Sequence, residues 1–204
     1  MNRTSGVIVA GGQSIRMGEI EKTTMDIAGT PLIRRVADRL LAATDELVVN
    51  CRAEQRDVIA DALEGLDPTF AIDTVPDRGP VAGIQTGLEA AETTYAAVVA
   101  GDMPLLDSGL ITYLLERADG HDAAVPRPGE WFEPLHAVYK VEPTIRACKE
   151  ALQRENPRIM EPLSKLDWVV VNRSELLEGG SLDSFESVDT PDDVVWAETQ
   201  LSDE

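Results

Sequence analysis

Short apolar runs alternate along the chain with longer stretches in which apolar residues recur every three or four positions. A run of four to six apolar residues between turn formers reads as a buried strand, and the longer spacing reads as one face of a helix. On this pattern residues 6–10, 46–50, 69–72, 95–100 and 123–126 are strands. Between them lie helices over 31–43, 53–63 and 81–91. The first of these has Leu32, Ile33, Val36, Leu40 and Leu41 on one face and Pro31 at its opening position. Ser108 is expected to cap the helix after the strand 95–100. Past Pro126 the rhythm changes. An antiparallel strand over 133–140, a helix over 142–154, strands at 168–171 and 185–188 and a last helix over 191–201 complete the pattern.

Strand–helix alternation of this kind implies an α/β protein with a mostly parallel central sheet and helices on both faces. There is no internal repeat and no linker, so residues 1–204 are expected to form one domain. Ligands of such sheets bind at the carboxyl ends of the strands, near a switch point. The loops after Ala10, Asn50, Ile72 and Ala100 therefore hold the candidate chemistry.

Charge narrows the partners. Asp and Glu number 37 against 18 Lys and Arg, a net charge of −19, and only four of the basic residues are Lys. Such a surface repels nucleic acid and anionic lipid, so neither is an expected partner. Acid excess with little Lys resembles proteins of salt-loving organisms, where molar salt shortens the Debye length to about 3 Å and screens the repulsion. The plainer alternative is a merely acidic soluble protein. No run of eighteen apolar residues is present and the polar start of the chain lacks the parts of a signal peptide, so a cytoplasmic location is expected. Cys51 and Cys148 form no metal-binding spacing.

The first loop reads Ala10-Gly11-Gly12-Gln13-Ser14-Ile15-Arg16-Met17-Gly18-Glu19-Ile20-Glu21-Lys22. Glycines directly after a buried strand let backbone N–H groups approach phosphate oxygens. Ser14 adds a hydroxyl, and Arg16 and Lys22 add two cations in a chain poor in them; the alternative is a plain turn with two surface cations. The spacing fits neither a Walker A loop nor a dinucleotide fingerprint. At the end of another strand stands Gly101-Asp102-Met103-Pro104, where a carboxylate is well placed to hold Mg²⁺ against a nucleotide phosphate. Taken alone, Asp102 reads rather as a helix-entry turn residue bonding local amides.

Together these segments resemble the nucleotidyltransferase superfamily, through Ala10-Gly11-Gly12-Gln13-Ser14-Ile15-Arg16-Met17-Gly18, then Glu21-Lys22 and Gly29-Thr30-Pro31-Leu32. Three more are similar to the molybdenum cofactor guanylyltransferases: Arg78-Gly79-Pro80-Val81-Ala82-Gly83-Ile84, Ala100-Gly101-Asp102-Met103-Pro104-Leu105 and Glu133-Pro134-Leu135-His136-Ala137-Val138-Tyr139. The resemblance runs from about residue 6 to 198. It implies a three-layer Rossmann-like fold and transfer of GMP from GTP to the phosphate of a molybdopterin-type cofactor, with release of pyrophosphate. Molybdenum-cofactor biosynthesis proteins would be its partners.

By the same resemblance Val9, Ala10, Gly11, Gly12 and Ser14 wrap the nucleotide, and Asn50, Asp73 and Gly83 lie near the nucleoside. Arg16 and Lys22 hold phosphates, and Asp102 binds Mg²⁺ together with GTP. Arg158 and Asp189 are candidate acceptor contacts, Asp189 being alternatively a helper of the metal. Three positions depart from the family: Glu21 stands for the usual Asp, Thr30 for a frequent Lys, and Ser187-Val188-Asp189-Thr190-Pro191 for Asn-x-Asn-Thr-Pro. A phosphate nucleophile is already ionised at neutral pH, which fits the lack of an evident acid–base set. Rival readings are a cytidylyltransferase or another guanylyltransferase of the same fold, and a non-catalytic nucleotide-binding protein. His136 reads as a hydrogen-bonded structural or substrate-facing histidine rather than a base, His121 as a loop residue, and Trp168 and Trp196 as packing residues. Trp131 is a turn residue that stacks on a pterin or is simply exposed.

Overall fold

A computed structural model describes residues 3–12, 22–75, 78–154 and 157–202. The central sheet has seven strands: β1 (Thr4–Val9), β4 (Glu46–Cys51), β5 (Thr69–Ile72), β6 (Tyr95–Ala100), β7 (Ala123–Arg127), β8 (His136–Lys140) and β9 (Trp168–Asn172). Their spatial order is β5-β4-β1-β6-β8-β7-β9. All run the same way except β8, which is antiparallel to both β6 and β7. A separate two-stranded hairpin, β2 (Asp26–Ile27) and β3 (Thr30–Pro31), turns through Ala28 and Gly29, both at positive φ.

The alternation of each strand divides the core between two faces. Ile8, Val49 and Val99 point to one side, where α1 (Leu32–Leu41), α2 (Arg56–Ala62), α4 (Ser108–Arg117) and α6 (Arg173–Gly179) pack. Val7, Val48 and Val98 point to the other, covered by α3 (Pro80–Glu89) and α5 (Val141–Ala151). The inner strands β1, β4, β6, β7 and β8 are buried on both sides, which is why they read as largely apolar runs rather than alternating ones. A third, smaller cluster joins Ile27 and Leu32 to Val188 and to Ala197 of α7 (Pro191–Ser202).

From β1 the chain lays β4 and then β5 on one side, then crosses back to place β6 on the other. The reversal puts a switch point between β1 and β6, with their carboxyl ends side by side. Among the described residues no helix is long and apolar enough to cross a membrane.

Two expectations need correction. Asp107, not Ser108, caps α4: its carboxylate accepts from Gly109 N at 2.8 Å and Leu110 N at 3.2 Å, and Ser108 is the first helical residue. The segment 185–188 is not a strand. Residues 182–185 form a 3₁₀ turn, and the chain then passes the end of β6 with Val188 N donating to Asp102 O at 2.9 Å rather than entering a ladder. The sequence pattern also leaves unmarked the short helix α6, whose Leu176 is buried. That helix opens with a capping box in which Asn172 Oδ1 accepts from Ser174 N and Glu175 N, and Glu175 accepts from Asn172 N.

Candidate functional site

A cavity of about 930 Å³ opens at the carboxyl ends of β1, β4, β5 and β6. Val9, Ala10, Gly11, Gly12, Lys22, Asn50, Asp73, Gly83, Asp102 and Asp189 all line it. Its size suits a nucleotide-sized ligand. Ser14 and Arg16 lie outside the described residues. Arg158 is exposed on the turn before the 3₁₀ helix Pro162–Lys165 and is not part of the lining. Trp131 is 78% exposed in the loop between β7 and β8, also away from the lining.

The glycine loop is held from beneath. Ala10 N donates to Asn50 O at 2.8 Å, and Gln55 Nε2 donates to Ala10 O at 3.3 Å. The Arg52 guanidinium reaches Gly11 O at 3.5 Å and Gly12 O at 3.4 Å. Arg52 and Gln55 follow β4 directly, and sequence reasoning missed both. The one available signal is an Arg at the carboxyl end of a parallel strand in a strongly acidic chain. Arg78 also lines the cavity; the sequence marked its segment but not the residue itself.

Beside this loop Asn50, fully buried, donates through Nδ2 to Asp73 Oδ1 at 2.7 Å and to Ala71 O at 3.1 Å. Its Oδ1 is buried with no hydrogen-bond partner. A Cβ on Gly83 would come within 2.7 Å of that oxygen, and one on Gly11 within 2.5 Å of Asp73 Oδ2. Both positions require glycine for close approach. Burial pushes the Asp73 carboxyl above its usual pKa, against the pull of hydrogen bonds from Asn50 and Thr86 and of the Arg52 charge.

The charged centre lies across the cavity. Lys22 begins a 3₁₀ turn tied to the hairpin β2–β3, with Met25 N donating to Lys22 O and Leu32 N to Met25 O. Its Nζ donates to Asp102 Oδ2 at 2.7 Å and to Asp189 Oδ1 at 2.8 Å. Burial works against the charge at Lys22, which is 8% exposed, but the two carboxylates outweigh it and hold the pKa above its ordinary value. Asp102 follows the end of β6. Asp189 comes from the far end of the chain, 167 residues from Lys22. A second capping box fixes it: Asp193 accepts from Thr190 N at 2.7 Å and Asp189 N at 2.9 Å, while Thr190 Oγ1 accepts from Asp193 N at 3.3 Å. These bonds also lower the Asp193 pKa.

His136 lies off the cavity. It is fully buried, with Nε2 3.3 Å from Ser184 Oγ and its ring 4.4 Å from that of Phe185. Burial, opposed by the nearby Asp107 charge, lowers its pKa to about 3. It is a structural histidine, one of the two roles expected for it. Among the described residues no group of three or more His, Cys, Asp or Glu is arranged to hold a metal. Asp102 and Asp189 are only a pair, so the rest of the shell of any ion they held would come from substrate or water.

The model of the MobA-like NTP transferase domain matches residues 6–166. The probable molybdenum cofactor guanylyltransferase of Natronomonas pharaonis is 64% identical over 202 residues, 99% of this chain and 100% of that protein. Its counterpart in Haloferax mediterranei is 40% identical over 190 residues, 93% of this chain and 90% of that protein. The crystal structure of molybdopterin-guanine dinucleotide biosynthesis protein A from Archaeoglobus fulgidus has the same fold. It matches with a TM-score of 0.82 at 26% identity, over 98% of this chain and 100% of that one. A family match over most of the chain, with a relative this similar from end to end, means that the chain belongs to the MobA-like NTP transferases, in the branch of the molybdenum cofactor guanylyltransferases.

Proposed function

We propose that this chain transfers GMP from GTP to the phosphate of a molybdopterin-type cofactor. An oxygen of the acceptor phosphate attacks the α-phosphorus, the bond from that phosphorus to the bridging oxygen breaks, and pyrophosphate leaves. The observation that carries this reading is the meeting of a glycine loop, Lys22, Asp102 and Asp189 around one cavity at the switch point.

Each residue has a task in it. The backbone from Val9 to Gly12, with Ser14 and Arg16 from the sequence pattern, cradles the phosphates. Lys22 stabilises the charge that gathers as the α-phosphate is attacked. Asn50, Asp73 and Gly83 form the wall nearest the nucleoside, and Asn50 Oδ1, lacking a partner, offers an acceptor there. No general base is required, so catalysis rests on positioning and charge neutralisation. The donor set fits magnesium, which binds through one or two carboxylates plus substrate phosphates and water. Two carboxylates from distant segments already converge on one cation, the Lys22 ammonium. Asp102 and Asp189 would hold the ion, and it would neutralise phosphate charge when bound.

The charge of −19 and the Arg-for-Lys bias support work at high salt, and membership of the family supports a place in the cytoplasm alongside other molybdenum-cofactor biosynthesis proteins. The test supplies the protein with Mg²⁺ and molybdopterin cofactor in high-salt buffer, with either GTP or CTP. Pyrophosphate and a guanine dinucleotide with GTP alone are expected. Product with CTP alone would move the chain to cytidylyl transfer. No product with either, from folded protein that binds nucleotide, would point to another acceptor or an accessory role.

A further inference from the structure

We propose that Lys22 is the resident counter-ion of the metal site, so that a divalent cation enters only with a nucleotide whose phosphates draw the ammonium off Asp102 and Asp189. The proposal rests on the nucleotidyl-transfer reading and adds an order of events to it.

The geometry leaves room for one cation. Lys22 Nζ lies 2.7 Å from Asp102 Oδ2 and 2.8 Å from Asp189 Oδ1, so it engages both of the carboxylates on which a magnesium ion here would depend. A second positive charge on the same carboxylate pair is repelled by an ammonium that is only 8% exposed. A metal arriving alone must therefore expel a buried ammonium from both of its carboxylate partners and leave it uncompensated, which is strongly unfavourable. Among the described residues, the other carboxylate lining the cavity is Asp73, which is engaged by Asn50 at 2.7 Å and lies beside the glycine loop. It is not placed to receive Lys22 without breaking that arrangement. A nucleotide changes the balance, because its phosphates give Lys22 a new partner and give the metal additional oxygens. Metal and nucleotide thus bind with positive coupling, and by linkage each raises the affinity of the other. Asp189 is essential to the arrangement: it shares the ammonium with Asp102, and the capping box of α7 fixes its backbone.

The test titrates Mn²⁺ alone into the nucleotide-free full chain in molar KCl, which screens the acidic surface, and follows free Mn²⁺ by electron paramagnetic resonance. Lys22→Met is expected to bind one Mn²⁺ at least about tenfold more tightly than wild type. Lys22→Arg should stay as weak as wild type, and adding Asp189→Asn to Lys22→Met should abolish the gain. Equal Mn²⁺ affinity of wild type and Lys22→Met would overturn the proposal.

Should Lys22→Met not fold, acetylation mapping on the wild type decides the same question. Lys22 is expected to stay as protected with Mn²⁺ alone as in the free protein, because the ion does not displace it from Asp102 and Asp189. Exposure by Mn²⁺ alone would overturn the proposal. A protein that shows the predicted Mn²⁺ behaviour yet releases no pyrophosphate with GTP and molybdopterin would refute the transfer reading while supporting the counter-ion.

Discussion

The two carboxylates on Lys22 make it the residue whose loss should be felt most in chemistry. Lys22→Ala is expected to lower kcat by about a hundredfold or more, the scale of removing a preorganised charge at a developing negative centre, while the thermal midpoint falls only modestly. Steady-state kinetics beside a melting curve separates the two, and activity within a few-fold of wild type would remove Lys22 from the mechanism. For Asp102→Ala, activity should fall and its dependence on Mg²⁺ should flatten in a metal titration. Gly83→Ala tests the nucleoside wall. Alanine is the better helix former by about 1 kcal/mol, yet its Cβ would meet Asn50 Oδ1 at 2.7 Å and Val9 Cγ1 at 2.8 Å. Because Asn50 is pinned by Asp73 and Ala71, the substitution should weaken GTP binding, measured by calorimetry, rather than stabilise the fold. Lys22 and the glycines were legible in the sequence because a cation beside a glycine loop in an acidic chain and a close backbone approach restrict which residue types can serve, whereas Asp102 alone read as a turn residue and entered through the resemblance. Arg52 and Gln55 were not legible, because they act by donating to backbone carbonyls, a task that many polar side chains perform and that leaves no spacing signature.

At the scale of elements, the inner strands were legible because burial on both faces turns them into apolar runs. The misread pieces are short and depend on side-chain hydrogen bonds. The hairpin β2–β3 has two residues per strand, too few for a period, and α6 is seven residues announced only by its capping box. Asp107 was passed over for Ser108, although its carboxylate does two jobs: Oδ1 caps α4, and Oδ2 accepts from Ser181 N at 2.8 Å. Asp107→Ala should therefore cost more than the roughly 1 kcal/mol of an ordinary cap, as denaturant unfolding would reveal. His136 ties β8 to the same region through Ser184, whose Oγ also accepts from Asp107 N at 2.8 Å. Its folded pKa of about 3 lies below the ordinary value of 6.5. Above pH 6.5 the histidine is neutral in both states and adds no pH dependence. Below that, the unfolded chain takes up a proton that the folded one refuses, so stability falls toward pH 3 by up to about 1.4 kcal/mol per unit. His136→Gln should show a shallower acid loss than wild type in parallel unfolding curves. Identical slopes would mean that this histidine does not titrate on unfolding.

For the whole molecule, the α/β class and even the single reversed strand follow from the order of patterns along the chain. The long-range closure of the site does not, since nothing local relates Lys22 to a carboxylate 167 residues later. The surface charge has its own consequence. With a net −19, thermal stability should rise as salt is raised toward molar concentration, where repulsion is screened. A melting temperature independent of KCl would argue for the merely acidic alternative. The closure by Asp189 also has a meaning in time. Chains emerge from the ribosome amino end first, and the glycine loop, Asn50, Asp73 and Asp102 can all be folded before Asp189 has been made. Until then the ammonium has half its counter-charge and the segment that packs on Asp102 is missing. A chain that has not yet reached Asp189 therefore carries the cavity at the switch point without the second carboxylate on Lys22, and the order of synthesis makes that contact among the last to form.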